Sequence, residues 1–211
     1  LDPSNMETAM IGQLDPKKAA VFVCDIQERF SSRITGWDDV TASAEVLLRC
    51  ASIFDLPVVV TEQYPKALGR TCEAVAKHVL PTAVGPIAKQ TFSMLVPEVE
   101  EKLKEWGHVQ QIVLVGLEAQ VCILQTTLEL LERGYEVHMP ADGVSSSRAF
   151  ERSAALARLS RHPRVFLSSS ESLMFQLQRS ASGPTFKAVS ALAKEIGTRP
   201  QPTFAPIQAA L

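Results

Sequence analysis

Short, wholly apolar runs alternate with amphipathic stretches along this chain, and that alternation constrains the fold more than any other feature. Ala19-Ala20-Val21-Phe22-Val23-Cys24 stops at Asp25, Val58-Val59-Val60 follows Pro57, and Ile112-Val113-Leu114-Val115 stops at Gly116. Runs this short, with no polar alternation, read as strands buried on both faces. Between them, Val40, Ala44, Leu47, Leu48, Ala51 and Phe54 recur at helical spacing. Pro97 opens a helix carrying Val99 and Leu103 that ends near Gly107. Residues 135–139 and 164–167 read as further strands and 149–159 as a helix. Ser168-Ser169-Ser170-Glu171 reads as the N-cap region of a helix over 173–178. The pattern implies an α/β fold: a three-layer α-β-α sandwich around a mostly parallel open sheet of about six strands, with helices on both faces. A length of 211 residues suits one such domain. We divide it into an N-terminal extension over 1–16, a domain over 17–196 and a proline-containing tail over 197–211.

Three residues at the ends of these runs carry chemistry. Cys122 follows the Gly116-Leu117-Glu118-Ala119-Gln120-Val121 bend and opens an amphipathic segment over 123–133 that Gly134 stops. A thiol in the first turn of a helix meets unpaired N–H groups that favour a thiolate. Asp25 ends the first run, and Lys89 ends the weaker, proline-containing stretch Val84-Gly85-Pro86-Ile87-Ala88. Each has a plain structural alternative: a buried thiol, a loop-anchoring carboxylate, a solvated cation. Together they place an acid, a cation and a thiol at the carboxyl ends of three strands, where open parallel sheets bind ligands. Ser145-Ser146-Ser147 reads as a turn and helix cap, since no base lies adjacent to make a serine nucleophile.

Four strings in order resemble the isochorismatase-like cysteine hydrolases, a family that includes nicotinamidases, carbamoyl-amide hydrolases and isochorismatases. They are Val23-Cys24-Asp25-Ile26-Gln27 and Lys89-Gln90-Thr91-Phe92-Ser93-Met94, then Gly116 through Cys122 with Thr126-Thr127-Leu128-Glu129-Leu130 and Gly134-Tyr135-Glu136-Val137, and finally Ala141-Asp142-Gly143-Val144-Ser145-Ser146-Ser147. The resemblance covers residues 17–171. Thr61-Glu62-Gln63-Tyr64-Pro65 and Leu68-Gly69 are similar to the isochorismatase domain-containing subgroup.

The resemblance implies an isochorismatase-like, Rossmann-like fold and a catalytic triad at Asp25, Lys89 and Cys122. Asp25 would take the thiol proton, Lys89 would balance charge, and Cys122 would attack a carbonyl carbon to form a thioester. Backbone N–H groups of Glu118 and Cys122 would hold the oxyanion, through a cis Leu117–Glu118 bond; a cis non-proline bond costs about 3–4 kcal/mol. Gln27, Phe30, Gln63, Tyr64 and Phe92 are candidate substrate-binding residues, the aromatics having core packing as the alternative. The family also implies a homo-oligomer, a dimer or tetramer. One departure matters. Nicotinamidases carry an Asp-x-His metal motif where this chain has Thr61-Glu62-Gln63, and its four histidines, His78, His108, His138 and His162, lack ligand spacing. We therefore expect no metal and no cofactor.

Composition narrows the remaining classes. A net charge of −2 offers no footprint for a polyanion, so we expect no nucleic-acid partner. No apolar run approaches membrane-spanning length, and residues 1–13 lack the apolar core of a secretory signal. Residues before Met6 need not be native. Four cysteines, none in a Cys-x-x-Cys pair, make no disulfide framework and point to a reducing, cytoplasmic setting. Cys24 reads as a small core hydrophobe. Three functions fit: a cysteine hydrolase of a small amide or related carbonyl compound, a non-catalytic binding protein on the same fold, and an isochorismate-type vinyl ether hydrolase that does not need Cys122.

Overall fold

The computed structural model describes residues 11–204. Six strands build its sheet: β1 (Ala19–Cys24), β2 (Val58–Gln63), β3 (Val84–Lys89), β4 (Gln111–Gly116), β5 (Glu136–Pro140) and β6 (Val165–Ser168). Their order is β3-β2-β1-β4-β5-β6, and every neighbouring pair is parallel. The chain winds outwards from β1 to β3, then returns to lay β4 beside β1. The strand order reverses between these two, which opens a crevice at their carboxyl ends. The register pairs Cys24 with Gly116, so both central strands finish at one level.

Among the described residues, eight α-helices accompany the sheet: α1 (Trp37–Phe54), α2 (Pro65–Leu68), α3 (Glu73–Ala76), α4 (Pro97–Glu105), α5 (Leu124–Glu132), α6 (Ala149–Leu159), α7 (Ser170–Gln178) and α8 (Phe186–Ile196). Successive residues of a strand face opposite ways, and β1 feeds two cores accordingly. Ala19, Val21 and Val23 pack with α1, α7 and α8, against Leu47, Leu173 and Val189. Ala20, Phe22 and Cys24 pack with α4, α5 and α6, against Val99, Leu130 and Leu156. The three-layer architecture read from the sequence is therefore the one observed.

Gly116 makes the close central pairing possible. Its φ is +129°, and a Cβ there would collide with the carbonyl of Cys24, so only glycine fits. At the sheet edge, β3 accepts Pro86 because an edge strand has a free side. Of its six residues only Lys89 is buried.

Several boundaries differ from the sequence reading. The segment after Gly116 does not enter an α-helix at Cys122. Residues Ala119–Ile123 form one wide π-type turn, and α5 starts at Leu124. The sequence reading did not anticipate α8. Residues just before 17 pack on the domain: Leu14 is fully buried, and Asp15 N donates to Gln111 Oε1 at 2.7 Å. Residues 197–204 of the tail fold back on the domain. Thr203 N donates to Asp39 Oδ2 at 2.9 Å, and the Arg152 guanidinium lies 3.9 Å from the Phe204 ring centre. The segments 1–10 and 205–211, with the expectations made for them, lie outside the described residues. Among the described residues no helix is long and apolar enough to cross a membrane.

Candidate active site

Asp25, Lys89 and Cys122 converge at the strand-order reversal. Asp25 follows β1 with φ +53°, in the left-handed region where aspartate is several-fold enriched. Gln27 N donates to Asp25 O at 2.9 Å, so the chain turns sharply as it leaves the sheet. Thr61 Oγ1, near the end of β2, donates to Asp25 Oδ1 at 2.7 Å, and Lys89 Nζ, at the end of β3, donates to Asp25 Oδ2 at 2.7 Å. The same ammonium reaches Gln63 Oε1 at 2.8 Å, Phe92 O at 3.0 Å and Thr91 O at 3.2 Å, and lies 3.7 Å from Cys122 Sγ. An ammonium has three N–H groups, so five acceptors pin it from every side.

The centre is buried: Asp25 is 1% exposed, Lys89 3% and Cys122 6%. Burial alone would lower the lysine pKa. The electrostatic interactions with its neighbours Cys24, Asp25 and Cys122, and the hydrogen bond to Asp25, outweigh it and hold Lys89 above the ordinary lysine value. Lys89 is therefore a fixed cation across the neutral range.

Cys122 sits in the wide turn after β4, and such turns recur where a side chain must be re-aimed. Leu117 N donates to Cys24 O at 3.0 Å, Ala119 N to Ser145 O at 2.9 Å, and Val121 N to Glu118 O at 3.0 Å; none of these bonds uses the Glu118 amide. The cis bond expected at Leu117–Glu118 is absent. Among the described residues Gly85–Pro86 is the cis peptide. The amides of Leu117 and Ala119 find their partners in the trans form, so nothing here offsets the cost of a cis non-proline bond.

The substrate-binding candidates separate into two groups. Tyr64 and Phe92 are about half exposed, at 48% and 47%. Gln63 joins the centre directly, its oxygen accepting from Lys89 and its Nε2 donating to Gln90 O at 3.0 Å. Gln27 does not face the crevice with a free amide. It is fully buried, its Nε2 donates to Gly69 O at 2.7 Å and Gln63 O at 3.0 Å, and its Oε1 accepts from Gln63 N at 2.8 Å. Its role is to hold the backbone of Gln63. Phe30 packs against the α1-side core.

Two residues of the centre escaped the sequence reading. Thr61 is a fully buried hydroxyl ending an apolar run, a signal that could have been noticed. Cys24 is more than core filling: its Sγ lies 3.6 Å from Asp25 Oδ2 and 3.4 Å from Leu117 O.

A family model described as the isochorismatase domain matches residues 19–171. This chain belongs to the isochorismatase family. It is 38% identical to isochorismatase domain-containing protein 2A of Mus musculus over 187 residues, covering 89% of this chain and 88% of that one. It is 40% identical to the secreted isochorismatase effector Isc1 of Phytophthora sojae over 190 residues, covering 89% and 90%. Among solved structures, the MAR1 ribonuclease from Caenorhabditis elegans superposes with a TM-score of 0.84 at 36% identity, covering 92% of this chain and 97% of that one.

Within this isochorismatase-family fold, the position expected to carry a metal motif in nicotinamidases is committed elsewhere. Glu62 is 1% exposed, and its Oε1 accepts from Thr71 N at 2.7 Å and Thr71 Oγ1 at 2.9 Å, while Oε2 accepts from Arg70 at 3.1 Å. Among the described residues, the cluster with metal-ligand chemistry is Cys24, Asp25 and Cys122, whose ligating atoms lie within 4.8 Å of one another. The Lys89 ammonium touches Asp25 and Cys122, so a cation of the protein's own already supplies the positive charge there.

Proposed function

We propose that this isochorismatase-family chain is a cysteine hydrolase of a small amide or related carbonyl compound. The observation that carries the reading is one ammonium, Lys89, in contact with both a buried carboxylate and a buried thiol. Asp25 takes the Cys122 proton as the sulfur attacks the carbonyl carbon. Lys89 stands beside the sulfur where negative charge develops. The leaving group departs with the proton from Asp25, and a thioester remains on Cys122; the trans Leu117–Glu118 bond does not supply the Glu118 amide that the family resemblance implied for the oxyanion. Asp25 then activates water to release the acid. Thr61 fixes one carboxylate oxygen, leaving the other to the chemistry. The small exposure of Cys122 restricts the substrate to a compact molecule, with Tyr64, Phe92 and Gln63 at its approach. No metal or cofactor enters this scheme. The free thiols suit a reducing, cytoplasmic compartment, and we expect a homo-oligomer.

The C. elegans structure's name brings a ribonuclease as a second reading. The net charge of −2 and the buried triad speak against a polyanionic substrate. The test is a panel of small amides and an RNA offered to wild type, Cys122→Ala and Asp25→Asn, with intact mass spectrometry of the quenched enzyme. Amide turnover with an acyl adduct on Cys122, lost in both variants, supports the proposal. Turnover that survives Cys122→Ala but not Asp25→Asn gives the vinyl ether type of chemistry instead. RNA cleavage independent of Cys122 gives the ribonuclease reading, and no turnover of any compound with an inert Cys122 gives a binding protein.

A further inference from the structure

Cys24 is a buried thiol that the hydrolytic scheme leaves unused, although it lies at the centre. It is fully buried, and its Sγ is within 4.8 Å of both Cys122 Sγ and an Asp25 carboxylate oxygen. The two cysteines come from different strands: Cys24 ends β1, and Cys122 follows β4. The Cys24–Gly116 pairing in the central register draws them together. One S–H proton serves two acceptors, Asp25 Oδ2 at 3.6 Å and Leu117 O at 3.4 Å, so neither contact locks the side chain.

We infer that Cys24 and Cys122 form a redox pair, in which hydrogen peroxide oxidises Cys122 and Cys24 resolves the product as an intramolecular disulfide. The inference rests on the nucleophilic Cys122 of the proposed function, but on no particular substrate. In the first step Asp25 takes the Cys122 proton as the sulfur attacks the peroxide, and later returns it to the leaving hydroxide. An S–O bond forms, the O–O bond breaks, and hydroxide leaves and takes up a proton as water. Cys122 is then a sulfenic acid, and the peroxide has been reduced. In the second step the Cys24 sulfur attacks that sulfenic sulfur. The S–S bond forms, the S–O bond breaks, and the departing hydroxyl takes the Cys24 proton, for which Asp25 is the neighbouring relay. A second water leaves.

The surroundings assign the two roles. Burial pushes the Cys24 thiol well above the ordinary thiol range, and the contact with Cys122 and the Asp25 charge push the same way. Cys24 therefore waits as a thiol, with an acceptor beside it for its proton. Cys122 has the Lys89 ammonium against its sulfur and retains some exposure, so a small oxidant meets it first. Cys50 and Cys72 serve as internal controls. Both are free and buried, and neither belongs to a cluster of this kind; burial pushes Cys50 up to about 12.

The experiment treats the full chain with a few equivalents of hydrogen peroxide, blocks remaining thiols under denaturing conditions and maps the peptides. A parallel sample receives iodoacetamide alone and reports whether Cys122 is nucleophilic. The expected result is a Cys24–Cys122 linked peptide pair, an intact mass lighter by two hydrogens, and full reversal by dithiothreitol. In Cys24→Ser, and in Cys24→Ala as a second replacement, Cys122 instead gains two or three oxygens and dithiothreitol does not reverse it. An alkylated Cys122 that forms no link to Cys24 in wild type overturns the inference and leaves the hydrolase reading standing. A Cys122 inert to both reagents overturns both.

Discussion

Asp25 and Glu62 are equally buried carboxylates on neighbouring strands, and they have opposite surroundings. Glu62 is closed off by its own loop. Thr71 supplies two donors, and Arg70 reaches in from a side chain that is 76% exposed. Asp25 is held by residues distant in sequence, Thr61 and Lys89, and its cation also touches a thiol. Both carboxylates satisfy the rule that buried charge must be paired. The difference lies in what the partners do besides pairing. Those of Glu62 fasten a loop, whereas Lys89 also touches the Cys122 thiol, the nucleophile of the proposed function.

The strongest way to break this comparison is Lys89→Met, which keeps the length of the side chain and removes the charge. It leaves Asp25 buried and uncompensated, and we expect a stability loss of about 3–5 kcal/mol in urea unfolding, together with loss of turnover. A loss below about 1 kcal/mol, the level of a surface pair, would show that Lys89 does not hold the acid. In the wild type the sign with pH follows from the raised lysine pKa. The contribution of the pair is fully present below the ordinary lysine value of about 10.4 and disappears only as pH climbs through the higher folded-state value.

Glu62→Gln sharpens the contrast from the other side. It removes a charge from a loop clamp, and we expect a cost of about 1–3 kcal/mol with the iodoacetamide rate at Cys122 unchanged. A tenfold change in that rate would mean that the two acids are coupled. His138 supplies a weakly paired case, its Nε2 3.6 Å from Glu136 Oε2. It is fully buried with no hydrogen bond to either ring nitrogen, and burial holds its pKa below the ordinary histidine value against the opposing pull of Glu136. The unfolded chain binds that proton more readily, so stability falls as pH drops below about 6.5. His138→Phe should make the decline shallower. The smallest effect belongs to Arg70→Ala. Its guanidinium is mostly solvated, and we expect a loss under about 1 kcal/mol, because the Thr71 donors remain on Glu62.

The sequence exposed those parts of the site that depend on strand ends. Asp25 and Lys89 terminate their runs, and Gly116 marks where β4 must stop, so topology alone brings these residues to one edge. Other features depend on which atom meets which across long stretches of chain. Thr61 bonds Asp25 from 36 positions away, and no periodicity reports such a contact. Gln27 lies two residues past Asp25, which suggested a place in the crevice. The tight turn at Asp25 instead carries it under β2. Cys24 looked like any small apolar residue at the end of a buried strand, because its nearness to Cys122 exists only once β1 and β4 are in register. The helix expected to open at Cys122 is displaced by a wide turn that its composition does not announce. The sequence placed Tyr64 at the end of the second strand, and it follows β2 about half exposed.

Lys89 also couples chemistry to the outermost strand of the sheet. β3 has one hydrogen-bonded neighbour, and Lys89 is its one buried side chain. Local opening of such an edge is the low-energy end of native-state fluctuation. Opening of β3 near its end would carry the ammonium away from Asp25 and Cys122 together, and would disarm the proposed centre. Amide exchange along β3 would then serve as a clock for readiness, counting the fraction of time in which acid, cation and thiol are assembled. A ligand that bridges Gln63, at the end of β2, and Phe92, three residues beyond β3, would slow that clock by holding the edge strand in place.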